Sequence, residues 1–132
     1  MKLKNQITLF PLKGKNKTCM LMKKHYNAVK QCVDLIESFQ TLEFDSIILY
    51  GSCSRSEAKF SSDIDLCVVT PTDTTLAQII EFKKYMYENL PDSIEVDVKF
   101  LSREKYLTGT SLFIKDIRKD GVILCQNMCQ EI

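Results

Sequence analysis

Two aspartates separated by one residue, Asp63 and Asp65, stand at the mouth of an apolar run, Ile64 to Val69, downstream of a small-residue turn opened by Gly51 and Ser52. Side chains at i and i+2 of a strand point to one face with Cα atoms about 7 Å apart, so the carboxylates converge while Ile64 points into the core. Held that closely they repel, each raising the other's pKa, unless a cation neutralises the pair. Magnesium takes oxygen ligands of this kind, one or two protein carboxylates completed by phosphates and water. A third carboxylate on a neighbouring strand would complete a site for two ions about 3.5–4 Å apart, which clamp the attacking and leaving oxygens of an in-line displacement. Asp97 is assigned that role with Glu95 as runner-up; both lie on one polar face, and spacing alone does not choose between them. Phosphates also need donors. Gly51 lets a phosphate approach the backbone, Ser52 offers a hydroxyl and an amide, and Arg55 a planar guanidinium fork. The expected chemistry is attack by an acceptor hydroxyl on the α-phosphate of a nucleoside triphosphate, with pyrophosphate leaving.

Such residues need a sheet to hold them. Phe44 to Tyr50 is β-branched and aromatic and ends at Gly51, which predicts a strand running into a turn. Ile64 to Val69 predicts a strand buried on both faces and stopped by Pro71. In Ile94 to Leu101, Ile94, Val96, Val98 and Phe100 alternate with Glu95, Asp97 and Lys99, which marks a half-buried strand. Helices are expected at about 19–40, with Thr18 as N-cap, and at 76–89, where Pro91 and Asp92 break the chain. A helical turn at 103–107, a helix at 112–119 and a strand at 122–125 close the pattern. The order predicts an α/β (α+β) domain, helices packed on a central mixed sheet. Residues 18–132 are read as that single domain and residues 1–17, with their short apolar stretch Ile7 to Phe10, as an N-terminal appendage.

At 132 residues with 45% hydrophobic and 27% charged content, the chain has the usage of one globular core and is too apolar for disorder. No run approaches the roughly 20 apolar residues of a membrane span, and the N-terminus has no signal-peptide stretch, so the cytosol is the expected compartment and no membrane partner is expected. Six cysteines, Cys19, Cys32, Cys53, Cys67, Cys125 and Cys129, make no C-x-x-C pair and read as free thiols. The single histidine, His25, has no ligand partner at a metal-binding spacing and reads as an ordinary surface or helix residue. The first 33 residues hold eight lysines and no acid, leaving a formal −7 on the rest against +1 overall. Such a run is usually a solvated face. Lys13, Lys15, Lys17, Lys23 and Lys24 have only Tyr26 nearby to stack a base, so nucleic acid is not an expected partner.

The segment LYGSCSRSEAKFSSDIDLCVV resembles the signature of the DNA polymerase beta-like nucleotidyltransferase superfamily, especially its minimal nucleotidyltransferase branch. IEVDVKF is similar to the strand bearing that family's third carboxylate, and FIKDIRKDGVILC to its closing helix and strand, so the resemblance covers about residues 20–125. It implies the polymerase beta palm-like fold. It also implies triphosphate binding by Gly51 and Ser52, two magnesium ions on Asp63, Asp65 and Asp97, and a role for Asp97 in activating the acceptor. The turn departs from the family's frequent G-S-R-A-R-G: Arg55 is kept, while Cys53 and Ser56 replace an arginine and a glycine. Larger members carry an acceptor-binding domain for which this chain has no room, and minimal members commonly act with a helical HEPN-type partner. The resemblance therefore implies an adenylyltransferase of toxin–antitoxin type, moving AMP from ATP to a HEPN-type protein. The alternatives are transfer to a small molecule such as an aminoglycoside or lincosamide across a homodimer, and a non-catalytic nucleotide- or partner-binding module.

Overall fold

The computed structural model describes residues 7–91 and 93–127. Residues 1–6 of the expected appendage, the expected breaker Asp92, and the C-terminal residues including Cys129 lie outside the described residues. Among the described residues, six strands and four helices follow in the order β1 (Leu9–Lys13), β2 (Thr18–Met22), α1 (Lys23–Ser38), β3 (Ser46–Tyr50), β4 (Ile64–Thr70), α2 (Leu76–Asn89), β5 (Val96–Ser102), α3 (Arg103–Thr108), α4 (Leu112–Asp120) and β6 (Val122–Gln126).

The central sheet has the strand order β5-β4-β3-β6. β3 runs antiparallel to both β4 and β6, while β4 and β5 are parallel, so the sheet is mixed as the element order predicts. A parallel pair needs a long crossover, and α2 supplies it. That helix starts at a capping box in which Thr75 and Gln78 each accept from the other's backbone amide, at 3.1 and 2.8 Å.

Apolar residues on both faces of β3 and β4 divide the core in two. On one face Ile47, Leu49, Leu66 and Val68 meet Val29, Cys32 and Ile36 of α1 and Phe82 of α2. The ring of Phe82 lies edge-on to Phe39 and Phe100 at 5.3 and 5.2 Å. On the other face Ile48, Cys67, Val69 and Leu101 are covered by Ile114 and Ile117 of α4. At the end of that face Tyr50, Asp65 and Asp97 are only partly covered. Arg103 grips the Asp45 carboxylate through Nε and Nη2 at 2.6 and 2.9 Å, tying the start of α3 to the entry of β3.

The N-terminal end of the expected first helix is corrected. Thr18–Met22 is not helical; it is a strand paired antiparallel with β1, and α1 begins at Lys23 with Met22, not Thr18, at its N-cap. Alternation decides the matter, because Cys19 and Leu21 point inward while Thr18 and Met20 stay exposed. Leu12, Cys19 and Leu21 join the main core, so the division between residues 17 and 18 falls at the turn of a hairpin that packs on the domain. The hairpin turn is stitched to β6: Lys15 donates its amide to Ile123 O at 2.7 Å, and Asn16 Oδ1 accepts from the Ile123 amide at 2.9 Å. The five described cysteines are free thiols. His25 lies in α1 as read, but it is completely buried and not a surface residue. Among the described residues, no helix is long and apolar enough to cross a membrane.

Candidate active site

Register places the acids. Asp65 pairs with Tyr50 of β3 on one side and with Asp97 of β5 on the other, so the three side chains stand abreast on one face of the sheet. The β4–β5 ladder opens with the Ile64 amide donating to Glu95 O at 2.9 Å, which puts Asp63 and Glu95 one step beyond the pair. All four carboxylates border one cleft of about 740 Å³ at the β5 edge of the sheet, which Lys83, Tyr87, Leu90 and Val96 also line. The direct neighbour of Asp65 is Asp97, and Glu95 is the more distant and more exposed acid.

The electrostatics follow this arrangement. Burial raises the Asp65 carboxyl above the usual carboxylate range, Asp97 and then Asp63 push it further, and Lys99 opposes them. The Tyr50 hydroxyl is likewise raised, first by burial and then by Asp65 and Asp97. Asp97 Oδ2 lies 3.2 Å from Lys99 Nζ. Spacing on β5 would have put Lys99 on the face of Asp97, a neighbour that a search for acids alone passes over. Tyr50, stacked edge-on against Phe113 of α4 at 5.5 Å, depends on long-range packing that no local pattern announces.

Gly51 follows β3 at φ +77°, a left-handed conformation, and a Cβ there would collide with Oδ2 of Asp65. The turn thus lies directly against the carboxylate. From Gly51 the chain winds tightly, with the amides of Ser54, Arg55 and Ser56 donating to the carbonyls of Gly51, Ser52 and Cys53 at 3.1, 3.2 and 3.2 Å. Such winding leaves its opening amides for other acceptors, and an anion suits them. Arg55 points elsewhere. Its Nε meets Glu57 Oε1 at 3.1 Å and its Nη1 lies 3.9 Å from Asp120 Oδ2, so the structure does not bring it to the aspartates.

The two departures in the turn are both engaged. Cys53, fully buried, donates its thiol to Asp63 O at 3.6 Å. Ser56 takes up the left-handed conformation at φ 61° that a glycine would adopt freely, and its Oγ accepts from the Met20 amide at 2.9 Å.

Three carboxylates on adjacent strand ends are the hard-oxygen donor set that magnesium takes, and the mutual repulsion at Asp65 is relieved by a cation. The donors fit the ion in kind and in backbone placement. Their side chains are not drawn together: among the described residues no three acidic, histidine or cysteine side chains form a group able to hold a metal, and Asp97 faces Lys99.

Comparison with known proteins adds family and fold. The pattern of the family described as polymerase beta, nucleotidyltransferase, matches residues 30–128. No curated protein matches the chain. Three solved structures share the fold. A provisionally assigned nucleotidyltransferase from Sulfolobus solfataricus has a TM-score of 0.51 at 19% identity over 76% of this chain and 79% of that one. A mutant of the toxin–antitoxin pair MntA-HpeT has a TM-score of 0.54 at 19% identity, over 76% of this chain and 74% of that one. A toxin–antitoxin structure with AMP-PNP has a TM-score of 0.56 at 17% identity, with the same coverage of 76% and 74%.

Proposed function

The chain belongs to the polymerase beta nucleotidyltransferase family, and on that premise we propose that it transfers AMP from ATP to a hydroxyl of a HEPN-type protein partner, as the antitoxin of a cytoplasmic toxin–antitoxin pair. The observation that carries the catalytic part is the lateral alignment of Asp65 with Asp97 beside a glycine turn that could not hold a Cβ. Two structural neighbours are toxin–antitoxin structures, one of them with AMP-PNP, which favours a protein partner and an adenine nucleotide, while the choice of a HEPN-type partner rests on the sequence resemblance. Residues 18–132 are taken as the domain, with the strand at Leu9–Lys13 completing its hairpin.

In this reading Asp63, Asp65 and Asp97 would hold two magnesium ions, which when bound supply the positive charge that neutralises the triphosphate and the leaving pyrophosphate. Ser52 donates its hydroxyl and amide to non-reacting phosphate oxygens, and Gly51 lets those oxygens approach the chain. In this reading Asp97, across from Asp65, takes the proton of the acceptor hydroxyl. The acceptor oxygen forms its bond to the α-phosphorus as the bond to the β-phosphate oxygen breaks. The volume of the cleft, about 740 Å³, also suits a drug-sized acceptor, which keeps a small-molecule substrate as the second reading.

The test is transfer of label from α-labelled ATP in magnesium, with and without the helical partner protein, using wild type and Asp65→Asn. Label on the partner with wild type alone supports the reading. Label on a small hydroxyl compound without the partner favours the second, and no labelled product from either sinks both.

A further inference from the structure

The segment between Ser56 and Ser62 joins the nucleotide turn to Asp63, and the hairpin and first turn of α1 hold it at three points. The Met20 amide donates to Ser56 Oγ at 2.9 Å. Lys24 Nζ donates to Phe60 O at 2.7 Å and stands 3.7 Å from the centroid of the exposed Phe60 ring. His25 Nε2 lies 2.9 Å from Ser62 O, the carbonyl of the residue before Asp63. Ser62 also closes a tight turn, its amide donating to Lys59 O at 2.9 Å and its Oγ accepting from the Lys59 amide at 2.8 Å.

A carbonyl oxygen only accepts, so this contact assigns the proton of His25 to Nε2. The ring is 0% exposed, and Nδ1 has no hydrogen-bond partner among the described residues. An unsatisfied buried nitrogen is unfavourable, and a leucine would fill the same space without one. What histidine adds is the single bond to Ser62 O. All three holding residues precede residue 30, where the family match begins, so the contacts come from a part of the chain outside the shared pattern. Ser56, their first point of attachment, is also one of the two departures in the turn.

We propose that His25 is a positioning residue whose Nε2–H, aided by Lys24 and the Met20 amide, fixes the Ser62 carbonyl and thereby the direction in which Asp63 leaves the turn. The consequence for nucleotide binding rests on the nucleotidyltransferase reading; the bracing of residues 56–62 does not.

His25→Leu removes the donor and keeps an apolar volume, while His25→Gln restores an amide donor near the Nε2 position. Lys24→Met tests the second contact at the protein surface, where folding is not at stake. Hydrogen exchange on the full chain without nucleotide compares residues 57–63 with β3 and β4. Calorimetry then measures magnesium-dependent ATP binding. The expected result for His25→Leu is exchange faster by about tenfold at 57–63, with β3 and β4 unchanged, and ATP affinity weaker by about tenfold, both largely restored by His25→Gln. Unchanged exchange at 57–63, equal acceleration across the whole chain, or local acceleration with unaltered ATP affinity overturns the proposal. Should His25→Leu not fold, Lys24→Met decides, because a brace requires local acceleration there and an idle contact gives none. Wild type that binds no ATP, or binds it equally after Asp63→Asn, refutes the nucleotidyltransferase reading and leaves the brace to the exchange result.

Discussion

Replacing Gly51 by alanine tests whether the turn and the carboxylate pair form one unit. Two costs are expected, because Gly51 sits at φ +77° and its missing Cβ leaves room for Oδ2 of Asp65. Left-handed backbone costs an L residue about 1–2 kcal/mol. Displacing Asp65 from its rotamer adds about 0.5–1.5 kcal/mol. The stiffer unfolded chain of alanine returns about 0.4–1 kcal/mol. The net loss is roughly 0.5–3 kcal/mol, which for a chain of this size lowers the melting temperature by roughly 2–12 °C. The same substitution in an Asp65→Ala background should cost only the backbone part, so a double-mutant cycle read by urea denaturation returns a coupling of about 1 kcal/mol. Magnesium-dependent ATP binding, followed by calorimetry, should disappear in Gly51→Ala. Equal costs in the two backgrounds, or a melting temperature within about 2 °C of wild type, would refute the argument that the turn packs on the carboxylate.

Three further outcomes are expected. Asp65→Asn should raise metal-free stability at pH 7 while abolishing ATP binding: a carboxyl whose folded pKa is raised contributes stability below its unfolded pKa, near 3.9, that is lost as pH rises through the folded value, so the gap to wild type should close in acid when denaturation is followed against pH. Lys99→Met should free Asp97 and tighten manganese binding, read by electron paramagnetic resonance without nucleotide; both partners are well exposed, so the gain is about fivefold at most, and weaker binding would mean that Lys99 does not compete for Asp97. Leu21→Ala should cost about 2–4 kcal/mol in chemical denaturation, since Leu21 is 1% exposed in the main core, whereas a loosely attached hairpin would make it nearly neutral.

That Asp63 and Asp65 stand near enough to act on each other electrostatically was legible in the sequence because strand parity is local: one intervening residue sets which side chains share a face. The burial of β4 was legible for the same reason, from Leu66 to Val69. The partnership of Asp65 with Asp97 was only half legible. Parity put Asp97 and Glu95 on one face, but the residue that stands across from Asp65 depends on how β5 registers against β4, and that is settled by the α2 crossover. The hairpin was misread because Thr18–Met22 satisfies two patterns. Cys19, Met22 and Tyr26 lie near helical spacing, and Cys19 and Leu21 alternate as in a strand; β1 broke the tie by pairing with the segment, a contact made only in the folded chain. His25 was read as ordinary because the hydrogen-bonding contact of its ring among the described residues, Ser62 O, lies 37 residues away.

Arg55 shows why placement and role have to be argued separately. Its guanidinium meets Glu57 and Asp120, but the Arg55 side chain is 43% exposed and the Glu57 side chain 64%, so solvent screens that pair and it holds the arginine weakly. In the proposed reading a triphosphate beside Ser52 would offer several charged oxygens to the same fork, and bidentate contact with phosphate would outweigh an exposed pair with one carboxylate. Arg55 can therefore change partners at small cost. Cys53 and Ser56 cannot: the first is buried against Asp63 O, and the second joins the turn to β2 through its hydroxyl. Within one turn, the residue kept from the family pattern is the one whose pair with Glu57 is exposed to solvent, while the two that depart from it bind the turn to the rest of this chain.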